Sequence, residues 1–143
     1  NETLRDRVCA VSNKTHYNEM NVLSMHALIG AYQPQGYEWV DELNQVLAGN
    51  IEYFCDYVDG HFEGVSYSRP QGTYMVFLDC TEWCREHGRD IQWLLDEGAR
   101  VGVGYQDGRP FHGPCHIRVN LALPLSRVRE ACDRLDRYVF NAR

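Results

Sequence analysis

The amino-acid sequence predicts an α+β fold of two layers, in which helices cover one face of a three- to four-stranded, mostly antiparallel sheet. Three observations predict it. An apolar stripe repeats at helical spacing over residues 40–58, residues 73–79 and 115–123 have the composition or the alternation of strands, and the helical and strand patterns are partly segregated along the chain. At 143 residues, with 44% hydrophobic and 24% charged side chains, the chain has the size and composition of one globular domain.

The amino-terminal part is predicted to be helical. Residues 1–12 indicate a short helix, and residues 18–32 indicate a second one with apolar residues at helical spacing. The segment Gln33-Pro34-Gln35-Gly36 is predicted to break that second helix. A longer amphipathic helix of about 22 residues follows, and Gly60 is predicted to end it. Its apolar stripe consists of Val40, Leu43, Leu47, Ile51, Phe54 and Val58.

The sheet is predicted to begin after this helix. Residues 65–68 and 73–79 indicate a hairpin or two neighbouring strands, with a turn between them. Residues 81–88 indicate a short turn or helix. Asp90 is predicted to cap a further helix that ends near Gly98.

The carboxy-terminal part is predicted to complete both layers. Residues 101–104 indicate a short strand, residues 105–114 a loop rich in glycine and proline, and residues 115–123 a strand. Pro124 is predicted to open the last helix, because proline is tolerated at a first helical position. The apolar face of the last strand comprises Cys115, Ile117, Val119 and Leu121, and that of the last helix comprises Val128, Cys132 or Ala131, Leu135 and Val139.

Charge and hydropathy exclude several classes of protein. A net charge of −6 argues against a nucleic-acid partner bound by broad phosphate neutralisation. No apolar run approaches the length of a membrane span, so we expect no membrane partner and no signal peptide. The six cysteines are interpreted as reduced thiols in a cytoplasmic protein, because a chain with a full apolar core needs no disulfides. The charged, helical start is interpreted as a cut through a longer protein.

Three motifs favour structural interpretations over chemical ones. Cys80, Cys84 and His87 have part of a zinc-site spacing, but the second ligand pair is missing, so ordinary packing is favoured. The glycines of residues 101–104 resemble a dinucleotide fingerprint, but no helix is predicted to open after them. Lys14 is the only lysine, and its polar neighbours indicate a solvated surface position. We therefore predict no metal-ligating, cofactor-binding or catalytic residue in this chain.

Arg118 is the strongest candidate binding residue. If Ile117 and Val119 point to the core, then His116, Arg118 and Asn120 point to the opposite face of the last strand. The planar guanidinium fork is suited to bidentate pairing with a carboxylate. The alternative is an arginine on a solvated sheet face or one paired with a structural aspartate.

Several blocks together resemble one family of enzymes. They are Glu19-Met-Asn-Val-Leu, Ala31-Tyr32, Tyr37-Glu-Trp-Val-Asp-Glu-Leu, Leu47-Ala-Gly-Asn50, Pro70-Gln-Gly-Thr-Tyr-Met-Val-Phe-Leu-Asp79 and Ile117-Arg-Val-Asn-Leu-Ala-Leu-Pro124. In order and spacing they are similar to the carboxy-terminal part of fold-type-I pyridoxal-phosphate (PLP) enzymes, in the aminotransferase and cystathionine β-lyase (C–S lyase) group. Two departures are Met20, where the family has proline in its "EPN", and the loop 104–114, where the family has "FG" and a glycine-rich turn.

The resemblance implies a function for the parent enzyme. Residues 1–17 would be a helix and connection on the large-domain side, and residues 18–143 would be the small domain, preceded by a long interdomain helix. Arg118 would bind the substrate α-carboxylate, with Asn120 beside it. The large domain would be the partner of this chain, and it would supply the cofactor lysine, so we expect no PLP on the fragment and no activity from it.

The resemblance also implies a cytoplasmic homodimer that acts on amino acids, and it leaves transaminase and lyase chemistry open. A second hypothesis is a stand-alone, non-catalytic module with the same fold. Such a module would bind amino acids through Arg118 or a protein partner through exposed helix faces. We further expect the helix of residues 18–32 to be exposed and the chain to self-associate through it.

Overall fold

Six α-helices and four β-strands form within residues 1–16 and 20–142, the part of the chain that this computed structural model describes. The helices are α1 (Glu2–Thr15), α2 (Val22–Ala31), α3 (Pro34–His61), α4 (Thr81–His87), α5 (Ile91–Arg100) and α6 (Leu125–Leu135). The strands are β1 (Ser66–Tyr67), β2 (Met75–Asp79), β3 (Gln106–Asp107) and β4 (His116–Asn120). A 3-10 turn at Arg109–Phe111 precedes β4, and a π-helical segment at Asp136–Phe140 follows α6. None of the described helices is both long enough and apolar enough to cross a lipid bilayer.

The chain divides into two compact units, Asn1–Glu42 and Leu43–Arg143. In the first unit the side chain of Asn1 caps α1, and that of Asn21 caps α2 by accepting a hydrogen bond from the backbone of Ser24. Helix α2 has no buried residue, as expected from the sequence. The predicted start of this helix at residue 18, the Glu19 of the family block and the boundary predicted at residues 17–18 lie outside the described residues.

The second unit contains a four-stranded sheet in the order β1-β2-β4-β3, in which every neighbouring pair is antiparallel. Strands β2 and β4 form its centre, with Met75 opposite Asn120 and Asp79 opposite His116. This architecture confirms the predicted α+β class and the antiparallel sheet. It also confirms that residues 65–68 and 73–79 contain neighbouring strands.

One face of the sheet is buried and the other holds polar side chains. Val76 and Leu78 of β2 and Ile117 and Val119 of β4 are buried in the core, as strict alternation predicts. The helices supply the rest of that core, mainly through Phe54, Val58, Trp83, Leu94, Val128, Cys132 and Leu135. The helices therefore cover one face, and the other face is left for Arg118 and its neighbours.

The short strand predicted at residues 101–104 is wrong. These residues close the end of α5, because the backbone N–H groups of Val101 and Val103 donate to the carbonyls of Glu97 and Gly98. Gly102 has a φ of 76°, in the left-handed region that ends helices. The strand in this part of the chain is β3, which lies within the segment predicted to be a loop.

Three predicted helix boundaries are also shifted. Helix α3 begins at Pro34, inside the segment predicted to be a break, because proline fits the first helical position. Gly60 lies within α3, which ends at His61. The left-handed residue that follows is Gly64, with a φ of 79°. The α5 helix ends at Arg100, and Gly98 is buried inside it.

Candidate carboxylate-binding site

Arg118 lies in the middle of β4, on the face of the sheet opposite to the core. Its cross-strand neighbours are Phe77 of β2 on one side and Gln106 of β3 on the other. Ile117 and Val119, which flank it along the strand, are buried in the core. The structure therefore confirms the strand and the face predicted for Arg118.

The guanidinium of Arg118 has an aromatic partner and no carboxylate partner within the described residues. Its Cζ lies 4.4 Å from the ring centroid of Phe111, in a cation–π arrangement. Its Nε is buried and makes no hydrogen bond to any residue of the described ranges. By contrast, Arg109 pairs with Asp107 at 2.7 Å and Arg127 pairs with Glu130 at 2.8 Å. Arg118 is thus not paired with a structural aspartate within the described residues, which was one of the two alternatives.

A closely seated loop carries Phe111 to this position. The backbone N–H of Gly108 donates to the carbonyl of His116 at 2.9 Å, and the N–H of His116 donates to the carbonyl of Gly113 at 3.2 Å. A Cβ on Gly108 would collide with the backbone of His116, and a Cβ on Gly113 would lie 2.5 Å from Cζ of Phe77. Only glycine fits at these two positions, so the loop contacts β4 directly.

His116 forms the other end of the polar face. Its Nε2 lies 3.8 Å from Oδ2 of Asp79, and its ring packs against Phe77 with centroids 4.7 Å apart. Burial raises the pKa of Asp79. Hydrogen bonds from Thr81 and the charge of His116 lower it by more, so the pKa of Asp79 is below its ordinary value. The Nδ1 atom of His116 is buried without a hydrogen-bond partner in the described part of the chain.

Asn120 lies two residues beyond Arg118 on the same face and is exposed. Its Oδ1 accepts a hydrogen bond of 2.8 Å from the backbone N–H of Ala122. The oxygen is thus used in a local turn, and the amide nitrogen is the group that remains to donate to a ligand. Because Ile117 and Val119 are buried, Arg118 and Asn120 lie on the face of β4 that the sequence predicts.

The other candidate residues have different surroundings. Cys80 and Cys84 are buried in the core, and His87 stacks on Trp83 with ring centroids 4.3 Å apart. Within residues 1–16 and 20–142 no three His, Cys, Asp or Glu side chains are grouped as a metal site would require. Lys14 is exposed in the last turn of α1, in the first unit.

A separate cavity of about 360 Å³ does not include Arg118. Its apolar lining includes Val119 of β4, Leu121 just after that strand and Val128 of α6, and Arg127 and Arg134 also line it. Both arginines pair with Glu130, at 2.8 Å and 2.5 Å. The two arginines thus share one carboxylate, and Arg134 also donates to the backbone carbonyl of Val101 at 3.0 Å.

Sequence reasoning missed three members of the Arg118 site. Phe77 could have been found, because the alternation of β2 places it on the face opposite to Val76 and Leu78. Asp79 follows from the same alternation. No sequence pattern indicates the position of Phe111. It lies in the loop between Gly104 and Cys115, and a loop has no periodicity that predicts where a side chain points.

Comparison with known proteins finds both sequence relatives and structural neighbours, and lyases are among each. A protein from Mycobacterium leprae (strain TN) named "Putative cystathionine beta-lyase" is 35% identical over 124 residues, which is 76% of this chain and 30% of the relative. A protein of the same name from Mycobacterium tuberculosis (strain ATCC 25618 / H37Rv) is 31% identical over 128 residues, with the same coverage of 76% and 30%. The chain thus spans about 30% of the length of these curated relatives. No family model matches the chain.

Two solved structures share the fold. The PLP-bound C–S lyase of Staphylococcus hominis has a TM-score of 0.76 and 23% identity, over 89% of this chain and 33% of that one. Cystalysin of Treponema denticola, which contains PLP, has a TM-score of 0.70 and 22% identity, over 82% of this chain and 29% of that one. At these identities the likeness establishes the fold.

Proposed function

Since this chain is a relative of the PLP-dependent aminotransferases and C–S lyases in sequence and in small-domain fold, we propose that its Arg118 binds the α-carboxylate of an amino-acid substrate. The observation that carries the proposal is the guanidinium of Arg118, whose buried Nε has no hydrogen-bond partner and which pairs with no carboxylate among the described residues. A half-buried cation without a counter-ion is costly. A substrate carboxylate would offset that cost.

The chemistry of arginine fits this role. The guanidinium fork forms two parallel hydrogen bonds with one carboxylate, which fixes orientation as well as contributing affinity. A mid-strand position holds the Cα of Arg118 between two hydrogen-bonded neighbouring strands. Such a rigid support is what the orientation of a reacting substrate requires. Asn120 would add a donor from its amide nitrogen on the same face.

The residues of this chain do not fit the PLP cofactor itself. PLP, when bound, supplies an electron sink for an amino-acid carbanion, and its site requires a lysine. Lys14 is the only lysine of the sequence, and it is exposed in a unit that does not contain Arg118. The proposed role of this chain is therefore to hold the substrate, while the large domain of the parent enzyme supplies the cofactor. We accordingly propose that the fragment alone is inactive and carries no PLP.

The exposed apolar side chains of the first unit support a large-domain partner. Leu4 and Val8 of α1 and Leu23 of α2 are 63%, 60% and 82% exposed. Exposed apolar surface of this kind is typical of a surface that another domain covers. We propose that the parent enzyme is a homodimer in the cytoplasm, where the six free thiols of this chain would stay reduced.

The experiment is a carboxylate titration of the ¹⁵N-labelled 143-residue chain, followed by nuclear magnetic resonance at the side-chain Nε–Hε signal of Arg118. We expect acetate and L-methionine each to shift that signal in a saturable way. Arg118→Gln should abolish the response of the surrounding β4 amides, while Arg127→Gln, a change at an exposed arginine of α6, should preserve it. The proposal would be contradicted if carboxylates shifted the β4 amide signals of Arg118→Gln as much as those of the unchanged chain.

A further inference from the structure

Three of the cysteines meet at one end of the central strand pair, where β2 ends and β4 begins. The backbone N–H of Cys80, the residue after β2, donates to the carbonyl of Cys115, the residue before β4, at 2.9 Å. Cys84 lies one turn further along, in α4, and its backbone N–H donates to the carbonyl of Cys80 at 2.9 Å. Cys80 and Cys84 belong to the core, and Cys115 packs against it. The backbone therefore brings three thiols together from distant parts of the sequence.

Cys84 and Cys115 are the two thiols of this group that face each other. The thiol of Cys84 is hydrogen-bonded with that of Cys115, whereas the thiol of Cys80 lies 4.0 Å from the backbone carbonyl of Leu78. Burial and the hydrogen bond with Cys115 raise the pKa of Cys84 to about 12, so Cys84 stays protonated and is the S–H donor of the pair. The two sulfur atoms are thus already in contact in the reduced chain.

The two partners differ in their access to solvent. Cys84 is only 5% exposed and Cys80 is fully buried, whereas Cys115 is half-buried. An oxidant dissolved in water therefore reaches Cys115 before it reaches the other two. The susceptibility of a thiol to peroxide follows its exposure, and oxidation-sensitive cysteines are often found beside a second thiol that completes a disulfide.

We propose that Cys115 is a site of reversible oxidation by hydrogen peroxide, and that Cys84 completes the reaction by forming a disulfide that locks α4 to the start of β4. In a reducing compartment such a disulfide would be transient. The site goes beyond the proposed function and does not depend on it. Cys115 packs on the core side of the sheet, whereas Arg118 lies on the opposite face.

The reaction has two steps. The sulfur of Cys115 attacks one oxygen of hydrogen peroxide, the O–O bond breaks, and a sulfenic acid and one water form. The sulfur of Cys84 then attacks that of the sulfenic acid, and the S–O bond breaks as the S–H proton leaves with the hydroxyl group as a second water. Two electrons pass from the two thiols to the peroxide. Protonation of Cys84 slows the second step, but a partner held in contact has a high effective concentration.

The experiment is limited oxidation of the folded 143-residue chain with hydrogen peroxide. Remaining thiols are then alkylated with N-ethylmaleimide, and peptides are mapped by mass spectrometry without reduction. We expect one dominant cross-linked pair of peptides, which contains Cys84 and Cys115 and disappears with dithiothreitol. The cross-link closes a long loop of chain, so the oxidised chain should have a higher urea midpoint than the reduced chain.

Four variants assign the roles. Cys115→Ser should lose the cross-link completely, and Cys84→Ala should leave Cys115 as a sulfenic acid that dimedone traps. Cys80→Ala, at the third cysteine of the group, is the matched control and should keep the cross-link. Cys9→Ser removes an exposed thiol of α1, which excludes disulfides between copies through that residue, and should also keep the cross-link.

Two controls separate pairing from folding. Urea unfolding of each variant shows whether it is folded, and Cys115→Ser, at a half-buried position, still tests the pairing if a core variant does not fold. Oxidation in urea should give mixed disulfides instead of one, because only the folded chain holds Cys84 against Cys115.

Several results would overturn the proposal. One is a cross-link of Cys80 to either Cys84 or Cys115 as the main product of the folded chain. Another is oxidation of Cys9 while Cys84 and Cys115 both remain thiols. Sulfinic acid at Cys115 beside an unchanged Cys84 would show that Cys84 does not complete the reaction, and an unchanged or lower urea midpoint would contradict the lock. Carboxylate binding is measured in a separate titration, so the proposed function can fail without this one.

Discussion

The side-chain amide of Asn50, in the middle of α3, donates a hydrogen bond of 2.9 Å to the backbone carbonyl of Leu121, just beyond the end of β4. The same nitrogen donates to the carbonyl of Leu123 at 2.7 Å. Asn50 is only 1% exposed, and its bond to Leu121 is buried while its bond to Leu123 is partly buried. The long helix is thereby attached to the chain segment that directly follows the Arg118 strand.

Replacing Asn50 should therefore destabilise the second unit. Asn50→Ala would remove the side-chain partner of the Leu121 carbonyl, in a buried bond, and of the Leu123 carbonyl, in a partly buried one. We expect a loss of about 1–3 kcal/mol in the free energy of unfolding. Urea denaturation measures it. Asn44→Ala, the same substitution at an exposed position of the same helix, is the matched control and should change stability by less than about 0.5 kcal/mol. Equal effects of the two substitutions would show that the buried hydrogen bonds contribute nothing.

Asp79 should make the stability of the fold depend on pH. Its pKa is lowered in the folded chain, so its ionised form stabilises the fold above the pKa of the unfolded chain, about 4. This contribution is lost as the pH falls through the folded pKa. We expect the unchanged chain to lose more stability than Asp79→Asn between about pH 6 and about pH 3. Parallel curves would contradict the assignment, and Glu63→Gln serves as an exposed control.

Gly113 should tolerate no side chain. A Cβ there would lie 2.5 Å from Cζ of Phe77 and 2.7 Å from Cβ of His116, so the loop that carries Phe111 would have to move. We expect Gly113→Ala to lower the free energy of unfolding by about 1–3 kcal/mol and to shift the Arg118 Nε–Hε signal. Gly104→Ala has nothing within 4 Å of the new Cβ and should leave both measurements unchanged. An unshifted Arg118 signal in Gly113→Ala would mean that the loop does not position Phe111.

The cysteines should differ in their reaction with iodoacetamide. Burial raises the pKa of Cys84 to about 12 and that of Cys132 to about 12, so neither forms the reactive thiolate near pH 8. Cys9 is exposed and should be modified first. Mass spectrometry of the folded chain should find Cys84 and Cys132 unmodified until urea is added. Modification of Cys84 before Cys9 in the folded chain would contradict the predicted burial.

The exposed helix α2 should promote self-association. Leu23 is 82% exposed and Ile29 is 55% exposed, and no residue of this helix is buried. We expect sedimentation of the isolated chain to show association that grows with concentration and is reduced in Leu23→Glu. Gln45→Glu, which adds the same charge at a polar exposed position of α3, should not reduce it. A strictly monomeric profile at high concentration would contradict the prediction.

The sequence by itself determined the parts of this protein that depend on local periodicity. The alternation of β4 placed Ile117 in the core and Arg118 on the opposite face, because successive side chains of a strand must point to opposite sides. The stripe through Phe54 and Val58 likewise determined which face of α3 is buried. These patterns repeat every two or three to four residues, so they are readable without knowing any partner.

Only the tertiary structure decided which distant segments meet. Residues 101–104 have a strand-like composition, yet their backbone N–H groups close α5, and Gln106 becomes the partner of Arg118 instead. Phe111 reaches the guanidinium because Gly108 and Gly113 let the loop lie directly on β4. Backbone pairing and ring contacts of this kind depend on residues far apart in the chain. Their free energy is set by the packed whole, so no local pattern could reveal them.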